Sequence, residues 1–132
     1  MKFGLIYELS TPRPFTRETQ KAVYENAIEQ TVLADALGYS TVWCVEYHFL
    51  EEYSHASCPE MFLAAFARDS IPPFRLCYCH WRVREASPYS LSGEGGLSRQ
   101  AVGGRVEFGT GRSSTWNELG SFNAPLEDPK RS

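Results

Sequence analysis

No apolar run in this chain is long enough to cross a bilayer, and the one at the start stops almost at once. Met1-Lys2-Phe3-Gly4-Leu5-Ile6-Tyr7 carries one lysine and then meets Glu8, whereas a secretory core takes about 7–15 apolar residues and a helical span about 20. A cytoplasmic protein with no membrane partner is expected. Positive charge is also short, with 13 Lys and Arg against 16 Asp and Glu for a formal charge of -3. Arg82 and Arg84 form the densest basic cluster, so no nucleic-acid partner is expected either. Cysteine is present but lacks the spacing of a metal site. Cys44 and Cys58 stand alone, and Cys77-Tyr78-Cys79-His80 has neither CxxC spacing nor a second ligand pair, while structural zinc needs about four ligands. Reduced thiols and no metal are expected.

What the chain does have is material for one core. Its 132 residues are 42% hydrophobic and 14% aromatic, which suits one domain of ordinary size. Lys2 to Tyr7 is mostly apolar with weak alternation, the pattern of a parallel strand covered on both faces. After Pro12-Arg13-Pro14, the positions Val23, Ala27, Ala34 and Leu37 recur at helical steps, with Lys21, Glu25 and Glu29 on another side. Gly38 stands where a left-handed C-terminal cap belongs, and the β-rich run Tyr39 to Val45 follows. Ser57-Cys58-Pro59-Glu60 has the oxygen, early proline and glutamate of a second helix start, followed by Met61, Phe62, Leu63, Ala65 and Phe66. Strand alternating with helix predicts right-handed βαβ units and an α/β fold. A barrel and an open doubly wound sheet both satisfy that pattern.

From about Asp69 to Val102 neither period persists, and most of the segment is expected to be loop. Order returns at Gly103-Gly104-Arg105-Val106-Glu107-Phe108-Gly109-Thr110-Gly111, a short strand between glycine turns, and the tail from Asn123 to Ser132 is polar. Gly109-Thr110-Gly111 could also open a GxGxxG nucleotide turn, but the third glycine position is Ser114.

Four stretches, in this order and spacing, resemble the bacterial-luciferase-like flavin monooxygenases. They are Met1-Lys2-Phe3-Gly4-Leu5; Ala34-Asp35-Ala36-Leu37-Gly38-Tyr39 running into Val42-Trp43; Glu46-Tyr47-His48-Phe49 with Ser54-His55; and Gly103 to Gly111. The resemblance covers residues 1–68 and 103–122, is interrupted over 69–102, and leaves 123–132 as a tail. It implies the N-terminal strands and helices of an incomplete (β/α)₈ TIM barrel, since a closed barrel takes about 250 residues. The genetic code also permits Tyr89 to Val102, read one nucleotide later, to spell a helix like the family's, so a pair of compensating frame changes is one expectation for the interruption.

The resemblance further implies FMN, reduced by a partner reductase or a nicotinamide nucleotide, acting on a small-molecule substrate with molecular oxygen. Some relatives use a deazaflavin instead. The flavin carries the redox chemistry, while the protein binds its phosphate and excludes water. Tyr47 and His48 fall where the family has two histidines, and so are the expected catalytic residues. Gly109, Thr110, Gly111 and Arg112 are the expected cofactor-binding residues, with the guanidinium suited to a phosphate. A tyrosine in place of the first histidine can donate a hydrogen bond, but its reference pKa of about 10 makes it a poor base at neutral pH. His48 also reads as a hydrogen-bonded core histidine, Arg112 as a solvated loop residue, and His55 as a loop or cap residue. The alternative to an enzyme is a non-catalytic α/β fragment that forms a homo-oligomer or binds another chain through its open strand edges.

Overall fold

A computed structural model of the chain describes residues 1–67, 74–80, 100, 103–111 and 115–121. The elements run β1 (Gly4–Tyr7), α1 (Arg17–Ala36), β2 (Thr41–Val45), α2 (Pro59–Ala67), β3 (Arg75–His80), β4 (Val106–Thr110) and α3 (Trp116–Ser121). Among the described residues, no helix is long and apolar enough to cross a membrane.

Local chemistry sets the helix ends. Thr16 and Thr19 cap the start of α1 reciprocally, each side chain accepting the other's backbone N–H at 3.2 and 2.9 Å. At the far end Gly38 takes a φ of 84°, and the N–H groups of Gly38 and Tyr39 return to the carbonyls of Asp35 and Ala34. This is the left-handed stop that the glycine predicts. The buried side of α1 is narrow, formed by Ala27, Thr31 and Ala34, and the Thr31 hydroxyl donates to the Ala27 carbonyl at 2.8 Å. Leu37, expected on that side, is 69% exposed instead. It is the C-cap, one step past the last helical turn, where the side chain leaves the helical stripe. Helix α2 opens with proline at its first position, as its sequence predicts, and buries Phe62, Leu63 and Ala67.

The four strands form one sheet in the order β1-β2-β3-β4, every pair parallel. One register row runs Leu5, Val42, Leu76, Val106 across all four strands. Val42 and Leu76 belong to the core that α1 and α2 cover with Ala27, Phe62, Leu63 and Ala67, and the partly buried Leu5 and Val106 pack against it, which pins the register, because a one-residue slip would turn the row outward. Strand β3 lies in the segment expected to be mostly loop. Its neighbours Leu76 and Cys77 point to opposite faces, yet are 1% and 0% exposed. With both of these neighbours buried, the stretch offers no alternation to read. Residues 81–99, including most of the stretch for which a frame change is expected, lie outside the described residues.

Strand order also separates the two architectures that the alternating pattern leaves open. A doubly wound sheet places β1 inside the sheet, beside a reversal of strand order. Among the described strands β1 is at an edge and the order follows the chain without reversal, the winding of a (β/α) barrel.

Candidate active site

Because every strand is parallel, all four C-terminal ends lie along one edge of the sheet, where this fold places its chemistry. Strand β1 delivers Glu8 to that edge, β2 delivers Glu46, Tyr47 and His48, and β4 runs into Gly111. Val45, Cys79 and Gly109 share one register row, and His80 pairs with Thr110 one step further on. The expected catalytic and cofactor-binding stretches therefore meet at one level, two strand spacings or about 9.5 Å apart.

His48 is held at two points. A hydrogen bond of 2.7 Å joins its ring Nε2 to Oε1 of the buried Glu46. The His48 backbone N–H donates at 2.8 Å to Oε1 of Glu118 in α3, whose Oε2 accepts from the Thr115 hydroxyl at 3.0 Å. The next residue, Phe49, has a φ of 57°, a left-handed conformation uncommon for a side chain of that size.

Tyr47 is held by aromatic packing. Its N–H donates to the Ala56 carbonyl at 3.2 Å, and its ring meets Tyr53 edge to face at 5.2 Å and 77°. The Tyr53 hydroxyl donates to Glu8 Oε1 at 2.6 Å, and this bond, aided by partial desolvation, pushes the phenol up to about 12. The loops after β1 and β2 are joined further where Ser10 Oγ donates to the Tyr53 carbonyl at 2.7 Å and the His55 N–H donates to the Leu9 carbonyl at 3.1 Å. Arg13 pairs with Glu51 at 3.2 Å and with Glu52, with its guanidinium 5.1 Å from the Phe15 ring. His55 is a loop residue here, with its Nε2 2.6 Å from the Glu51 carbonyl and its ring against Phe15.

On β4, Gly109 lies on the sheet face opposite Val106, since side chains alternate along a strand. It leaves that face without a side chain at the C-terminal edge, which suits close approach by a ligand. Arg112 lies outside the described residues. The charges at the described edge are mainly carboxylates, Glu8, Glu46, Glu51, Glu52 and Glu118, and Arg13 is already paired. Among the described residues no group of three or more His, Cys, Asp and Glu could hold a metal. The described depression of about 350 Å³, lined by Tyr24, Ile28, Met61 and Phe62 among others, is apolar and belongs to the helix layer.

Glu8, Tyr53 and Glu118 enter this site although none of them is among the residues expected there. A usable signal existed for Glu118, because Thr115-Trp116-Asn117-Glu118 has capping-box spacing. For Glu8 the signal is its place directly after β1. Tyr53 sits in a loop without periodicity and carries none.

No family model matches the chain. The uncharacterized protein y4vJ of Sinorhizobium fredii is 27% identical over 111 residues, 84% of this chain and 31% of that protein. Monooxygenase RslO1 from Streptomyces bottropensis superposes with a TM-score of 0.81 at 27% identity, over 96% of this chain and 37% of its own. The oxygenating constituent of 3,6-diketocamphane monooxygenase from Pseudomonas putida, a type II Baeyer-Villiger enzyme in complex with FMN, gives a TM-score of 0.80 at 18% identity, over 96% and 33%. At that last identity the likeness is one of fold alone, and the chain spans about a third of the length of each of these proteins. The described chain thus has the α/β fold, with a parallel sheet, of the luciferase-like TIM-barrel flavin monooxygenases.

Proposed function

We propose that the C-terminal edge of this sheet is part of a flavin-dependent monooxygenase site that takes FMN, molecular oxygen and a small organic substrate, with a flavin reductase as the source of reduced cofactor. Tyr47 and His48 are its catalytic residues, and Gly109, Thr110, Gly111 and Arg112 its cofactor-binding residues. The observation that carries this reading is the shared level of Val45, Cys79 and Gly109, which brings Glu46-Tyr47-His48 and the glycine end of β4 to the same edge. Reduced flavin supplies the oxygen chemistry. The chain's own residues bind and orient: Glu46 fixes the His48 ring, Tyr53 backs the Tyr47 ring, and Gly109 puts no side chain at its place on β4. Tyr47 acts as a hydrogen-bond donor through its phenolic hydroxyl.

A fluorescence titration of FMN with this chain tests the reading. Saturable but weak quenching is expected, with a dissociation constant above about 1 µM, or less than about 8 kcal/mol of binding. Gly109→Val, which adds a branched side chain at this position of β4, is expected to abolish it, and Arg112→Ala to weaken it. Binding that neither substitution changes would overturn the proposal.

A further inference from the structure

We propose that Glu118 is the positioning residue of the Tyr47–His48 pair: its carboxylate, brought in by α3, holds the peptide that links these two residues and so fixes both side chains at the sheet edge. The inference rests on the reading of Tyr47 and His48 as the catalytic pair. It is carried by the bond from the His48 N–H to Glu118 Oε1 at 2.8 Å, since that N–H belongs to the Tyr47–His48 peptide.

Three further observations support it. Glu118 is 0% exposed, and a buried carboxylate is tolerated only where hydrogen bonds replace its water. Oε1 receives the His48 N–H and Oε2 the Thr115 hydroxyl. Second, in a capping box the third-position glutamate serves the backbone of its own helix start. Glu118 stands at that spacing from Thr115, yet one oxygen reaches 70 residues back along the chain. Third, the anchored peptide lies one residue before Phe49, which is left-handed at φ 57°, and such a conformation persists where its surroundings hold it. With Nε2 on Glu46 and the backbone on Glu118, separate carboxylates fix the ring and the main chain of His48.

Amide hydrogen exchange followed by NMR, with no flavin present, tests the role directly. Glu118→Leu fills the same space without an acceptor and is expected to speed exchange at His48 roughly tenfold to a hundredfold, the range for a bond to a charged group. Val42, deep in β2, should keep its protection. Glu118→Gln retains an acceptor, and the Thr115 hydroxyl can reverse its role, so the His48 rate is expected to stay within about threefold of wild type. An unchanged His48 rate in a Leu variant that keeps Val42 protected would overturn the proposal. If the Leu variant loses Val42 protection as well, Glu118→Asp takes its place. It keeps the charge and withdraws the oxygens by one methylene, and again faster exchange at His48 supports the proposal while an unchanged rate overturns it. Added FMN separates the two readings: a wild-type chain with no FMN response removes the flavin reading, while the exchange result at His48 stands independently.

Discussion

The Tyr53 hydroxyl donates to Glu8 Oε1 at 2.6 Å, and this bond joins the loop after β2 to the residue that follows β1. It holds the phenol neutral, with a folded value near 12 against an ordinary value of 10. A group raised in this way contributes stability that is fully present below about pH 10 and is lost as pH rises toward about 12. In an ultraviolet titration of the tyrosinates, Glu8→Gln is expected to bring one late-titrating tyrosine down toward 10, and Tyr53→Phe to remove that step. The Phe variant identifies the residue, because burial also raises Tyr24. Identical curves for wild type and Glu8→Gln would dissolve the link between the two loops.

At the opposite edge of the sheet, Gly4 faces Thr41 across the β1–β2 pairing. A Cβ added at Gly4 would lie 2.2 Å from Thr41 Oγ1 and 3.2 Å from the Thr41 carbonyl oxygen. Gly4→Ala should therefore destabilise the fold by about 1–3 kcal/mol, the range for overpacking. Adding Thr41→Ala removes the nearest atom and should recover most of the loss in thermal melts. A double variant no more stable than Gly4→Ala alone would place the strain elsewhere.

The thiols differ in accessibility rather than in acidity. Burial pushes Cys44 and Cys77 up to about 12, with Glu107 adding to the effect at Cys77. Burial first, then the hydrogen bond to Glu60, holds the exposed Cys58 at about 11. Alkylation near neutral pH, mapped by mass spectrometry, should reach Cys58 and spare Cys44 and Cys77. The Cys58 rate should also fall well below that of an unhindered thiol, because two units of pKa remove about 99% of the thiolate. Glu60→Gln should raise the rate, and Cys44 or Cys77 reacting first would contradict the packing of β2 and β3.

The sequence carries the fold where periodicity or a cap is local. Ala27 and Ala34 mark the buried side of α1, Gly38 its end, and Pro59 the start of α2. It is silent on β3, where the neighbours Leu76 and Cys77 are both buried and leave no alternation. The sequence also cannot choose between barrel and open sheet, because strand order depends on pairings between distant segments. In the site, the Glu46-Tyr47-His48 stretch is legible as a motif, and its supports are not. Glu8 and Glu118 reach it through contacts across 45 and 70 residues, and no local pattern encodes partners at such separation.

The central claim is that flavin meets this chain at the C-terminal edge of β2 and β4, and amide chemical-shift mapping during an FMN titration tests it most directly. NMR registers weak binding, and the register supplies built-in controls, since Gly38, Gly103 and Gly104 lie at the opposite ends of the strands. The expected result is a saturable set of shifts at Tyr47, His48, Gly109 and Gly111, with the three control glycines unmoved and the set lost in Gly109→Val. Saturable shifts centred on the control glycines or on the α1–α2 depression, or no shifts at any flavin concentration reached, would contradict the account.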